Sequence, residues 1–206
     1  PDTLSGPQMQ RVLRRFHSLR PFLPANHVGL PWNQATRMLR DGQAAMQLMG
    51  DWVKGELNEP GRPIDNNIRC LPAPGTAGKF SYNLDSMALF QQTDPEHDQA
   101  QQRFAELLMD DNFQLEYNRV KGSIPPVAEV ESDQLDLCAQ QSIQALQQAN
   151  QQGDLVPSMA EGMAIPPNVQ QAIFELLASY FSDPQGDAEA TAKQLAKAVQ
   201  AVRAEY

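Results

Sequence analysis

Capped amphipathic helices alternate along this chain with apolar runs too short to be helices, and that alternation constrains the fold more than any other feature. Residues 94–122 show the helical half of the pattern. Asp94 stands where an N-cap belongs, Pro95 takes the first helical position, and Ala100, Phe104, Leu107 and Leu108 form one stripe. Asp110 or Asp111 then caps a second helix carrying Phe113, Leu115 and Tyr117, which Gly122 terminates. Residues 4–19 read the same way. Ser5 is a candidate cap, Pro7 lies in the first turn, and Met9, Val12, Leu13, Phe16 and Leu19 share a face until Pro21 and Pro24 stop the helix. Pro31 opens a short helix over 32–39 that ends at Asp41-Gly42, and Asp51 is read as the cap of another over 52–57. Three further helices are expected over 134–152, 168–182 and 187–205.

The apolar runs supply the strands. Residues 43–50, closed by Gly50, read as a short buried strand, and 68–72 as another. Phe80, Tyr82 and Leu84 alternate as a half-buried strand does, and 87–90 suggests a more buried one. Pro, Gly and Asn mark 58–66 as a loop, while 123–127 must be extended because residues before proline avoid the helical region. Strands alternating with helices predict an α/β sheet layered by helices. Four or so strands among seven or eight helices are few for 206 residues, which suggests a piece of a larger architecture.

Charge and motif content exclude several functions. The chain holds 16 Lys and Arg against 25 Asp and Glu, a net charge of -9. Phosphate backbones are bound by clustered cations, and the one basic cluster, Arg11, Arg14, Arg15 and Arg20, reads as the solvated face of the first helix. No nucleic-acid partner is expected. The longest apolar runs are far too short to span a bilayer. Cys70 and Cys138 have neither zinc spacing nor a Cys-x-x-Cys arrangement, so they are either buried thiols or one disulfide. His17, His27 and His97 are scattered, and no nucleophile elbow, P-loop or His-Glu-x-x-His motif occurs. Carboxylate pairs such as Asp110-Asp111 are explained by capping. The chain is therefore not expected to be an enzyme, and no catalytic residue, metal site or cofactor is expected.

Four segments carry a resemblance. The first runs from Trp32-Asn33-Gln34-Ala35 through Leu39-Arg40-Asp41-Gly42-Gln43-Ala44-Ala45-Met46 to Met49-Gly50-Asp51-Trp52. The second is Leu71-Pro72-Ala73-Pro74-Gly75-Thr76 with Leu84-Asp85-Ser86-Met87-Ala88-Leu89, and the third Tyr117-Asn118-Arg119-Val120-Lys121-Gly122-Ser123-Ile124-Pro125. In this order they resemble the extracellular solute-binding proteins of sugar ABC transporters, the superfamily of the maltose- and glucose-binding proteins. A fourth segment, Val156-Pro157-Ser158-Met159-Ala160-Glu161-Gly162, is similar to the glucose/mannose type.

The resemblance implies an α/β periplasmic-binding-protein type II fold: a two-lobed clamp that closes on a mono- or oligosaccharide and delivers it to the membrane subunits of an ABC permease. On that reading 1–78 is the first part of the C-terminal lobe, 79–122 crosses into the N-terminal lobe and returns, and 123–206 completes the C-terminal lobe. Most of the N-terminal lobe is expected to be missing. The start at Pro1 without a Met fits a removed leader or a longer missing N-terminal part equally. The partners implied are the sugar, the permease, and the missing lobe or a self-partner covering the exposed face. The location implied is the periplasm. The alternative is a half-chain that no longer binds sugar and acts as an interaction or scaffold module, with Phe90, Phe104, Leu107 and Leu108 as its exposed apolar patch.

Sugar recognition needs aromatic faces for C–H surfaces and charged or amide groups for hydroxyls. Trp32 and Trp52 each begin a helix, where either core packing or ligand contact suits them, and the resemblance places both in the cleft. Asp85 is either a turn aspartate or a cleft residue, and Lys121 either a helix-dipole lysine or a contact to sugar hydroxyls; the resemblance implies the second reading of each. Glu161 stands where the glucose type has a histidine; a carboxylate there either still binds sugar hydroxyls or favours an amino sugar or another polyol. The chain also departs from the family pattern at Pro125-Pro126-Val127, where an Arg is absent, and at Phe90-Gln91-Gln92, which replaces Pro-Lys-Gly.

Overall fold

Prolines, glycines and acidic caps set most element ends. A computed structural model of the chain describes residues 2–58, 68–126 and 134–203. The elements run α1 (Asp2–Ser5), α2 (Pro7–His17), a 3₁₀ turn (Arg20–Phe22), α3 (Trp32–Arg40), α4 (Val53–Leu57), β1 (Phe80–Tyr82), α5 (Pro95–Leu108) and α6 (Asp111–Lys121). They continue through α7 (Leu137–Gln152), β2 (Leu155–Pro157), α8 (Pro167–Ser182) and α9 (Ala188–Arg203). The single helix expected over 4–19 is two, because Gly6 before Pro7 takes an extended ψ of 173°. Asp94 accepts from Glu96 N at 2.8 Å, Asp110 from Phe113 N at 2.9 Å, Asp136 from Ala139 N at 2.9 Å and Asp187 from Glu189 N at 2.8 Å, so four of the described helices start on aspartate caps.

Two compact units form, one from residues 1–29 and 157–206, the other from 30–156. The first is a helical layer. The apolar face of α2 delivers Leu13 to a cluster with Val169, Ile173 and Tyr180 of α8 and Ala188, Ala192 and Leu195 of α9. Alanines at 188 and 192 let α9 approach α8 closely. At the end of α8, His17 Nε2 lies 2.7 Å from Asp183 O and Arg20 Nη2 donates to Ser182 O at 3.3 Å, satisfying carbonyls the helix leaves open.

The second unit buries far less apolar surface: Leu57, Leu135, Ala139 and Ala149 are its buried hydrophobic residues among those described. Cys70 and Cys138 form a disulfide, Cα–Cα 5.5 Å, which joins 68–73 to the start of α7. β1 pairs with β2, extended by Phe80 N donating to Asp154 O at 3.3 Å and by the Lys79–Asp154 ion pair at 2.7 Å. β2 was not foreseen, since three residues carry no periodic signal.

Three strand expectations fail. Residues 43–50 are not a buried strand: they join no ladder among the described residues, and Met46 and Leu48 are 87% and 80% exposed. Residues 68–72 are held by the disulfide, not by a ladder. Residues 87–90 are exposed, and the Gln101 side chain stands in for a strand neighbour, accepting from Phe90 N at 3.2 Å and donating to Phe90 O at 2.9 Å. A strand's apolar run is buried only where a neighbouring strand supplies both ladder and cover. The loop expected over 58–66 lies, past Asn58, outside the described residues, as does Val127.

Candidate functional site

The second unit is organised by one close helix crossing. α4 lies against the C-terminal end of α6 through two glycines. A Cβ on Gly55 would stand 2.6 Å from Lys121 O and 2.9 Å from Val120 O; one on Gly122 would stand 2.6 Å from Gly55 N. Gly122 has φ 84°, so it also supplies the left-handed turn that ends α6. The crossing therefore holds Lys121, the last residue of α6, beside the segment Gly50-Asp51-Trp52 that leads into α4.

Lys121 and Asp85, thirty-six residues apart, form an ion pair. The Lys121 ammonium also lies 6.0 Å from the ring centroid of Tyr117, which stacks on Phe113 at 5.8 Å. Trp52 is half-buried, and its ring lies so close over Gly50 that no side chain fits there. Trp32, the first residue of α3, is 44% exposed. Its carbonyl accepts from Thr36 Oγ1 at 3.0 Å and from Gln47 Nε2 at 3.2 Å, so Gln47 ties the extended segment 43–50 to the start of α3. α3 in turn packs on α4. Glu161 lies in the first unit, exposed on a turn where Met163 N donates to Ser158 O at 2.9 Å. Gln170 of α8 steadies that turn by donating to Met159 O and Ala160 O, both at 2.7 Å.

Three charged or aromatic members of this neighbourhood were missed. Asp51 was read as a helix cap, yet α4 begins at Val53 with Trp52 at its N-cap and no side-chain capping bond. Its carboxylate instead faces the N–H groups of Asp51 and Trp52 and lies in the field of Lys54 and Lys121, while burial pushes its pKa above the ordinary 3.8. Lys54 is 1% exposed and pairs with Asp136 at 3.1 Å; nothing in its local sequence signals a buried cation. Tyr117 was read only as part of an apolar helix face.

An ammonium paired with a carboxylate and facing a tyrosine ring offers charge-assisted hydrogen bonds and an apolar face together. No group of three or more His, Cys, Asp or Glu suited to a metal occurs among the described residues. A cavity of about 730 Å³ lies in the second unit, lined by Arg37, Glu56, Glu116, Arg119 and Asp136 among others and by none of the five candidates.

The fold and this charged, aromatic-rimmed cluster suit the class of extracellular solute-binding proteins, and comparison with known proteins agrees. The chain is homologous over nearly its whole length to bacterial proteins described as probable sugar-binding periplasmic proteins. It is 34% identical over 203 residues to a probable sugar-binding periplasmic protein of Brucella suis, covering 98% of this chain and 48% of that protein. The similarly described protein of Rhizobium meliloti is 33% identical over 203 residues, 98% of this chain and 49% of its own length. An uncharacterised ABC transporter extracellular-binding protein of Pyrococcus horikoshii is 28% identical over 162 residues, 79% of this chain and 35% of that protein. The chain thus spans about half the length of the curated relatives it matches. No family model matches it. No helix among the described residues is long and apolar enough to cross a membrane.

Proposed function

We propose that this chain is the C-terminal half of a periplasmic solute-binding protein, which binds a sugar in an inter-lobe cleft and delivers it to an ABC permease without transforming it. The observation that carries this reading is the ion pair between Asp85 and Lys121, beside Tyr117. Two residues singled out separately as sugar contacts meet in space, on a chain whose relatives are described as sugar-binding. Trp52, Trp32, Asp85 and Lys121 are the proposed ligand contacts, with Glu161 as a fifth. Residues 1–78 and 123–206 are assigned to the C-terminal lobe and 79–122 to the crossing segment.

The missing N-terminal lobe is the proposed cover for the exposed strand-like segments. Met46, Leu48, Leu71 and Phe90 are 87%, 80%, 82% and 73% exposed, and their segments join no ladder among the described residues. The second reading, an interaction module without sugar affinity, draws on the same surface, since Phe104 and Leu107 of α5 are also exposed while Leu108 is half-buried. Calorimetry separates the two. A panel of neutral and amino monosaccharides and short oligosaccharides is titrated into this chain and into a longer chain that includes the half its relatives add. Saturable heat with at least one sugar in the longer chain supports the transport reading; none in either, with self-association of the short chain in sedimentation, supports the second.

A further inference from the structure

Residues 3–29 hold four arginines and no aspartate or glutamate, in a chain whose net charge is -9. The structure divides that basic segment by direction. His17 and Arg20 turn back onto the carbonyls of Asp183 and Ser182 at the end of α8. Arg11 and Arg15 are exposed and make no hydrogen bond or ion pair among the described residues. Each lies two residues from the buried Leu13, so at 100° per residue both project from the opposite side of α2. Val12, Arg15 and Leu19 recur at helical spacing, and helical angles continue through Ser18 and Leu19, so two exposed apolar side chains share a stripe with Arg15. The 3₁₀ turn Arg20–Phe22 closes on that stripe: Phe22 N donates to Leu19 O at 3.0 Å and Leu23 N to Arg20 O at 3.2 Å. Phe22 is 84% exposed and Leu23 is exposed beside it, on a turn that Pro21 and Pro24 stiffen. An ordered turn that leaves large apolar side chains in water, next to a helix with free guanidinium groups, matches a partner that is both acidic and apolar.

We propose that this face, formed by Arg11, Val12, Arg15, Leu19, Phe22 and Leu23, docks on the surface of an anionic phospholipid bilayer. Charge and apolar exposure argue the choice together. Guanidinium groups take phosphate oxygens in charge-assisted hydrogen bonds, while their alkyl stems and the apolar residues between them lie against the acyl boundary. A nucleic-acid backbone would engage the arginines and leave Phe22 in water. The rest of the chain is acidic and is repelled by the same surface, so the face also sets which side of the molecule meets the membrane. Two arginines and a short apolar turn give weak, reversible, salt-sensitive attachment. The proposal goes beyond sugar binding and stands or falls without it. Where the chain serves a membrane permease, such attachment keeps the carrier at the bilayer between encounters.

The test is co-sedimentation with vesicles of phosphatidylcholine alone and of three parts phosphatidylcholine to one of phosphatidylglycerol. Both this chain and a longer chain that includes the half its relatives add should bind the anionic vesicles at low salt, leave them at about 0.5 M NaCl, and ignore the neutral ones. Arg11→Gln together with Arg15→Gln should weaken partitioning about tenfold, and Phe22→Ser about threefold. Both variants should keep the parent's melting temperature, since none of the three side chains is buried. Phe22→Trp should add an emission component that moves to the blue on anionic vesicles only. Binding that ignores salt or lipid charge, or that survives either variant undiminished, overturns the proposal, as does a Phe22→Trp emission that does not move. Binding by this chain that the longer chain lacks also overturns it and assigns the face to the half its relatives add. Self-association through the face without vesicle binding overturns it in favour of a second copy.

Discussion

In the first unit the largest fully buried side chain is Leu13; in the second it is Lys54, and both are 1% exposed. Leu13 is surrounded by Val169, Ile173, Tyr180 and the alanine face of α9, an arrangement stabilised by removing apolar area from water. Lys54 is buried against the half-exposed carboxylate of Asp136. Desolvating such groups costs free energy that their mutual attraction only partly returns. The second unit offsets its thin core with a disulfide and a glycine-to-glycine helix contact. One unit is thus organised around an apolar core, and the other around charged pairs.

The contrast can be broken by substitution. The largest effect is expected from Leu13→Ala, about 2–5 kcal/mol by thermal or urea unfolding, because the cavity is enclosed by two helices that cannot collapse freely. A loss under 1 kcal/mol removes the hydrophobic account of the first unit. Replacing Cys70 and Cys138 together by Ser should cost about 2–4 kcal/mol, since 68 residues separate the two. Hydrogen exchange should then rise in α7 and leave α8 and α9 protected; a uniform rise would show that the two units do not respond separately. Gly122→Ala is expected to cost about 1–3 kcal/mol, since alanine is strained at φ 84°. Gly122→Asn should recover little of it, because asparagine tolerates the backbone angle but its Cβ still meets Gly55 N. Full recovery by asparagine would remove the close crossing from the account. Smallest of all, Glu161→Ala should shift stability by no more than about 0.5 kcal/mol, as befits an exposed turn residue, while altering which sugar is preferred.

The helices were legible in the sequence because their signals are local. Asp94, Asp110 and Gly122 fall where capping predicts, and α5 and α6 follow from them. Strands were less legible because their partners are not local. Residues 43–50 and 87–90 have the composition of strands and no ladder, so composition alone assigned them a burial that only neighbours can supply. In the site, Asp85 and Lys121 were read from segment resemblance, and their pairing needed the fold. Asp51 was misread because an aspartate before a helix has a ready capping explanation, and Lys54 because a lysine in a helix has a ready solvent-facing one. Only the close approach of Gly55 to Gly122, invisible in either segment alone, brings the Asp51 backbone and Lys54 against the end of α6 that carries Lys121.

The central claim is that the cluster around Lys121 binds sugar, and it is tested most directly by calorimetry on the longer chain with three variants. Trp52→Ala, Lys121→Met and Asp85→Asn should each weaken the sugar found in the panel by tenfold or more, about 1.4 kcal/mol or above. They should do so with the melting temperature of the unliganded protein nearly unchanged. Tight binding that survives both Trp52→Ala and Lys121→Met would place the sugar elsewhere and contradict the account.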